Sequence, residues 1–404
     1  MAERLHTTIR DTGAAPVAAT GPVAATASVP GPKRILSIDS GGLHGLVSLA
    51  MLGRIEAVLR AQSSQARTRP TGRPFRLCDY FDLIGGSGTG AFIAAGLAWG
   101  HSVEDMIDVL TTVTRASLRR RLFRTASPGA IDRGALLSAL QDLFGYAPLT
   151  TAKLRTGVAI VTRRVDGARG TMILSNRTAP VGVPRTDEAS VTLADAVRAS
   201  LPTLPRDQAE IVPCGGGLHG AFGAVDHGPH ADPALALLLM ATNASGAGRA
   251  DHEPGLGWRA HADALFMASV GAVRSPRVSP AAGTDRVRMK PDADGVGSSA
   301  VMGEAVMRAM ALSTKRALSV DDVTGGFAPE SLRGAPRLTY ARFAMALDRA
   351  WLQDRVERRL SHRDIDRLRS MAREQQIEPL LTLARDIADA EVRPDHFPAR
   401  FRCA

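Results

Sequence analysis

Twice in this chain an apolar run leads into a glycine-rich turn and then into a helix-forming stretch. In the first unit Arg34-Ile-Leu-Ser-Ile-Asp39 reads as a short buried strand and Ser40-Gly-Gly-Leu-His-Gly45 as a glycine loop. Val47, Met51, Ile55 and Val58 then recur at helical spacing, with Arg54, Glu56 and Arg60 on other faces. In the second unit Tyr80-Phe-Asp-Leu-Ile84 predicts a strand, Gly85-Gly-Ser-Gly-Thr-Gly90 a tight turn, and Ala91 to Trp99 a helix of small residues that can lie close to a sheet. Such units build an α/β fold: a mostly parallel sheet sandwiched by helices, with the glycine turns converging where open sheets bind ligands.

Further signals extend the pattern. Strands are expected at 156–162, 171–175 and 264–270, the last apolar on both faces as a central strand should be. Ser102 with Asp105, Thr192 with Asp195 and Ser361 with Asp364 are spaced as helix-capping pairs, and Asp132 caps a helix ending near Gly145. Residues 1–32, rich in Ala, Pro, Thr and Val without period, read as a disordered tail. Residues 33–280 form the α/β domain. Residues 281–404 form a helical C-terminal part packed on it, with Pro276, Pro280 and Gly283 near the boundary.

Composition narrows the function. The 404 residues are 45% apolar and 22% charged, ordinary for a globular protein. No run of eighteen apolar residues predicts a membrane span, and residues 1–10 are too polar for a secretory signal. Cys78, Cys214 and Cys403 stand far apart, which suits free thiols in the cytoplasm. The net charge is +10, and lysine occurs only at 33, 153, 290 and 315, so arginine carries nearly all the positive charge. Arg119, Arg120 and Arg121, with Arg115, Arg124, Leu118, Leu122 and Phe123, make a basic patch with apolar teeth that suits peripheral contact with an anionic membrane, or else a solvated helix end. The 4% aromatic content argues against base stacking, and no nucleic-acid partner is expected; a protein partner stays open.

The 39–45 loop offers unhindered backbone N–H groups at a helix start, which suit a phosphate or the oxyanion of a carbonyl under attack. Without Gly-Lys-Ser/Thr or a Gly-x-Gly-x-x-Gly fingerprint, nucleotide binding through this loop is the weaker alternative. The second turn is spaced like a nucleophile elbow, with Gly86 and Gly90 flanking the apex by two residues on each side. The apex itself is Gly88, between Ser87 and Thr89. His44, His227 and His230 could approach one another and, with Asp226 or Asp232, hold a metal, but histidines that hydrogen-bond within loops are the commoner case, and no metal or cofactor is expected.

Taken together, residues 34–59 and 81–100, Arg198-Ala-Ser200 with Pro202 and Pro205, Ala224-Val-Asp226, and Asp232-Pro-Ala-Leu235 resemble the bacterial patatin-like phospholipase family. Leu338-Thr-Tyr340 and His396-Phe-Pro398 resemble its tail. The resemblance implies a lipid or acyl-ester ligand and a Ser–Asp dyad without cofactor. The dyad acid falls on Asp226, the oxyanion donors on Gly41 and Gly42, and the nucleophile position on Gly88. The family loop reads Asp-Gly-Gly-Gly-x-Arg-Gly and its later motifs Asp-Gly-Gly/Ala and Asn-Asn-Pro. Here Gly88 replaces the serine, His44 the loop arginine, His227 a glycine, and Ala231-Asp232 the asparagines. The expectation is a stable fold with a formed pocket and little or no hydrolysis, a member of the lipid-degrading family that has lost its dyad. The alternatives are a displaced nucleophile, Ser87 first and Thr89 second.

Overall fold

The computed structural model describes residues 31–63, 73–121, 131–166, 170–177, 191–201, 209–215, 218–223, 225, 230–243, 255–274, 296–315, 334–356 and 360–402. Among the described residues nine strands form one sheet: β1 (Lys33–Ile38), β2 (Leu83–Ser87), β3 (Gly157–Arg164), β4 (Gly170–Ser175), β5 (Glu210–Gly215), β6 (Leu218–Gly223), β7 (Leu265–Arg274), β8 (Ala311–Ser313) and β9 (Leu338–Ala346). Their order is β5-β6-β3-β2-β1-β7-β9-β8, with β4 also paired to β3. From β3 through β2, β1, β7 and β9 to β8 every pairing is parallel, while β4, β5 and β6 run antiparallel at one end. The expected sheet, mostly parallel and sandwiched by helices, is observed, and the antiparallel strands at its end make it mixed.

The helices are α1 (Gly45–Gln62), α2 (Thr89–Trp99), α3 (Val103–Arg121), α4 (Arg133–Phe144), α5 (Leu193–Ser200), α6 (Ala234–Thr242), α7 (Val296–Ala309), α8 (Arg349–Gln353), α9 (His362–Ser370) and α10 (Ile377–Glu391). Strand residues alternate between two apolar layers: Leu36, Ile38 and Ile84 pack with α1, α2 and α10, whereas Ile35, Leu83 and Val161 pack with α6. The strands are thus buried on both faces, as a parallel sheet covered by crossover helices requires. Each fully buried Ile, Leu or Phe contributes about 1.5–3 kcal/mol.

Two elements differ from the sequence reading. The second strand starts at Leu83, because Leu77–Asp79 form a 3-10 turn that occupies the approach. It also absorbs Gly85, Gly86 and Ser87, so the sharp turn is confined to residue 88. Gly85 can sit inside the ladder because the Leu237 side chain fills the space a Cβ would take, 2.5 Å away. Secondly, the C-terminal part is not purely helical: β8 and β9 extend the main sheet beyond β7. Its helices follow, and α10 lays Ile377, Leu380, Leu381, Ala384 and Ile387 into the core. Phe397 and Phe401 close the end against Phe266 of β7, with ring centroids 5.9 and 5.4 Å from it.

By length and composition the helix over 42–62 is apolar enough to cross a bilayer, with mean hydropathy 1.3, but 72% of it is buried within the protein. It is the core helix beside the sheet.

Candidate active site

Because β1 and β2 are parallel neighbours, with Ile38 in register with Gly86, the loops that follow them emerge side by side at the carboxyl edge of the sheet. The two glycine turns that the sequence singled out meet there.

The elbow is shaped by backbone crowding. A Cβ on Gly86 would lie 2.2 Å from the carbonyl oxygen of Gly90, and one on Gly90 would lie 2.2 Å from that of Ile38. Between them Gly88 turns with φ 53° and ψ −127°, a conformation that strains any residue with a side chain. Its N–H donates to Ser200 Oγ at 2.8 Å, and that hydroxyl donates in turn to the Val161 carbonyl at 2.6 Å. The turn is therefore held from β3 and from the end of α5, and α2 starts immediately after it.

The neighbours of the apex face elsewhere. Ser87 is fully buried and its hydroxyl donates to the Ala231 carbonyl at 3.1 Å. Thr89, also buried, donates to the Gly42 carbonyl at 3.0 Å and so ties the elbow to the first glycine loop.

That loop runs from Asp39 to Gly45. Gly42 has φ 50°, and the N–H of Ser40 donates to the Ala231 carbonyl at 2.9 Å. Asp39 is clamped by Arg342 of β9, whose Nη1 donates to Oδ1 at 2.9 Å and to Ser269 Oγ at 2.6 Å while Nη2 donates to Oδ2. Burial opposes the charge of Arg342, but the carboxylates of Asp39 and Asp232 raise its pKa above the ordinary value. His44 donates from Nε2 to the Leu368 carbonyl on α9 at 3.0 Å. Burial lowers its pKa, with that carbonyl pulling the other way, so the ring is a neutral strut between the loop and the C-terminal helices.

Of the later motifs, Asp226 and His227 lie outside the described residues. His230 pairs with Thr171 Oγ1 at 3.0 Å, away from His44. Asp232 Oδ1 accepts from the N–H of Ala234 at 3.0 Å and caps the start of α6. Among the described residues no cluster of His, Cys, Asp and Glu could hold a metal. At the basic patch, Arg119 is held by Glu374 at 2.6 Å and Arg115 by Glu378 at 3.7 Å. The side chains of Arg120 and Arg121, and residues 122–130, lie outside the described residues.

The sequence reading missed three participants. Ser200 fixes the elbow, Arg342 fixes the loop, and Ser40 faces the apex: its hydroxyl oxygen is 2.2 Å from where a Cβ on Gly88 would stand. All three left a trace: Ser200 closes the Arg198-Ala-Ser200 stretch that carries part of the resemblance. An arginine inside the apolar run Leu338–Ala346 signals a buried counter-ion, and Ser40 stands where the family loop has glycine.

Residues 36–205 match the family described as patatin-like phospholipase. The chain is 37% identical over 76 residues to the cGAMP-activated phospholipase of Vibrio cholerae serotype O1, covering 19% of each chain. It is 29% identical over 183 residues to the cUMP-AMP-activated phospholipase of Escherichia coli, covering 44% of this chain and 50% of the relative. It is 41% identical over 63 residues to patatin-like protein 2 of Arabidopsis thaliana, 16% of this chain and 14% of the relative. The chain thus matches at most half the length of these relatives. Two of the names include activation by a cyclic dinucleotide, a class of partner that the sequence reading had set aside. Residues 36–205 form a patatin-like phospholipase family domain, and the chain is a distant homologue of bacterial patatin-like phospholipases.

Proposed function

We propose that this chain keeps the acyl-ester crevice of a patatin-like phospholipase but lacks its elbow nucleophile, so that it binds a lipid or acyl ester and hydrolyses it little or not at all. One observation carries the reading: residue 88, at the apex of an intact elbow, is a glycine and brings no side-chain oxygen. Removing a serine nucleophile costs about a millionfold in rate in a comparable hydrolase, while binding and oxyanion donors remain. The oxyanion role falls to the backbone of Gly41 and Gly42, and the base role to Asp226. Replacement by Ser87 is disfavoured, because its hydroxyl is buried and already committed to Ala231. Contact with an anionic membrane would need arginines beyond Arg119, whose charge is already answered by Glu374.

The test is labelling of the purified chain with a fluorophosphonate, together with release of fatty acid from phospholipid vesicles, each with and without added cGAMP and cUMP-AMP. The nucleotides are included because relatives are named for them. The expected result is no label and no release under any condition, with retained binding to the vesicles. Label or release lost on Asp226→Asn would show that the site is active and end the proposal.

A further inference from the structure

A Cβ on Gly88 would meet three atoms of one residue: the Ser40 hydroxyl oxygen at 2.2 Å, its Cβ at 2.9 Å and its Cα at 3.4 Å. Separate carbon atoms settle about 3.5–4.0 Å apart. Turning the Ser40 side chain about χ1 removes the first contact and leaves the second, since the Cβ does not move. Nor can either backbone withdraw. Asp39 is held by Arg342 and by its N–H bond to the Val270 carbonyl at 2.9 Å, and Ser40 by its N–H bond to Ala231. The apex is held by Ser200 on one side and by the N–H of Ala91, which donates to the Gly88 carbonyl at 3.0 Å, on the other. Ser40 is only 6% exposed, and its hydroxyl oxygen has no hydrogen-bond partner among the described residues. A buried hydroxyl without a partner is a net cost, so what this side chain supplies here is volume.

We infer that residues 40 and 88 form a mutually exclusive pair: the crevice holds a side chain at one of them but not at both, and Ser40 is the residue that keeps the elbow bare. The inference rests on the reading of position 88 as the nucleophile position. It changes what repair of the site requires. Gly88→Ser alone inserts a side chain into filled space. Adding Ser40→Ala still leaves the Cβ in the way. Only Ser40→Gly clears it, and an oxygen at position 88 then faces the 39–45 loop.

The experiment measures the effect of Gly88→Ser in three backgrounds: wild type, Ser40→Ala and Ser40→Gly. Each protein is assayed by thermal unfolding and by fluorophosphonate labelling, with the modified residue located by mass spectrometry. In labelling, the serine oxygen bonds to phosphorus as the P–F bond breaks, fluoride leaves, and the serine proton passes to a base. In the wild-type and Ser40→Ala backgrounds Gly88→Ser should lower the melting temperature by roughly 4 °C, as overpacking does. In the Ser40→Gly background the fall should be less than half of that, and label should appear at position 88 only there. A stable, unlabelled Ser40→Gly/Gly88→Ser protein would support the exclusion and sink the nucleophile reading. Equal melting shifts in all three backgrounds would overturn the exclusion. So would label on Ser40 in the wild type, which would make that residue the nucleophile itself.

Discussion

Arg342 and Asp39 lie 303 positions apart in the chain, yet the guanidinium of one holds both carboxylate oxygens of the other at the start of the first glycine loop. Both are almost wholly buried, and Glu304 stands 3.7 Å from Arg342 Nε. The pair makes the last long strand a structural part of the first glycine loop.

Breaking that pair from one side strands a buried carboxylate. Arg342→Leu should therefore cost about 3–5 kcal/mol, read as a lower urea midpoint. Arg342→Lys keeps a charge but loses the two-pronged geometry, and should fall between wild type and Arg342→Leu. A midpoint unchanged in Arg342→Leu would show that the pair contributes nothing.

Ser200 both accepts from the elbow N–H and donates to the Val161 carbonyl. Ser200→Ala takes the acceptor from the buried Gly88 N–H and a donor from the Val161 carbonyl, and should destabilise by about 1–3 kcal/mol. Faster amide hydrogen exchange at residues 88–91 would locate the effect at the elbow; a uniform change across the chain would contradict this assignment.

His396 predicts a dependence on acid. Its ring is buried, 5.6 Å from Phe343, and Nδ1 accepts the N–H of Arg393 at 3.2 Å, which requires the neutral form. Burial lowers its pKa from 6.5 to about 4, against the opposing pull of Asp395. The unfolded chain therefore takes up this proton as pH falls below about 6.5, while the folded chain does not until about 4. The stability is complete above 6.5, drains away between those values, and drains no further below them. The loss should be about 2–3 kcal/mol. The difference in stability between wild type and His396→Asn, followed from pH 7 to pH 4, should change by that amount. A constant difference would refute the claim.

Gly90 and Gly53 offer a contrast. A Cβ on Gly90 would strike the backbone oxygens of Ile38 at 2.2 Å and Asp39 at 2.5 Å, and backbone cannot step aside cheaply. Gly90→Ala should cost more than about 3 kcal/mol and lower the soluble yield. Gly53, inside α1, would place a Cβ 3.7 Å from Val103 Cγ1, an ordinary contact. Gly53→Ala should be neutral or stabilise by up to about 1 kcal/mol, so similar melting temperatures for the two variants would count against the crowding argument.

What could be read from the sequence was local. Asp132 accepts from the N–H of Ala135 at 2.9 Å, Thr192 from that of Asp195 at 3.0 Å, and Ser361 from that of Asp364 at 3.2 Å. Each of those pairs spans three residues, so a pattern in the sequence is a contact in the fold. The elbow spacing was legible for the same reason. Strand β9 was not, because an apolar run buried on both faces carries no period to tell strand from helix. The bonds from Arg342 to Asp39, from Ser200 to Gly88 and from His44 to Leu368 were hidden too, since only the assembled sheet brings those partners together.

The crowding of Gly86 against Gly90, and of Gly90 against Ile38, exists whatever residue stands at 88. Those two glycines answer to neighbouring main chain, so they persist as long as the strand and helix stay pressed together. A bare Gly-x-x-x-Gly frame after a buried strand therefore testifies to architecture, and only the atom at its centre testifies to chemistry.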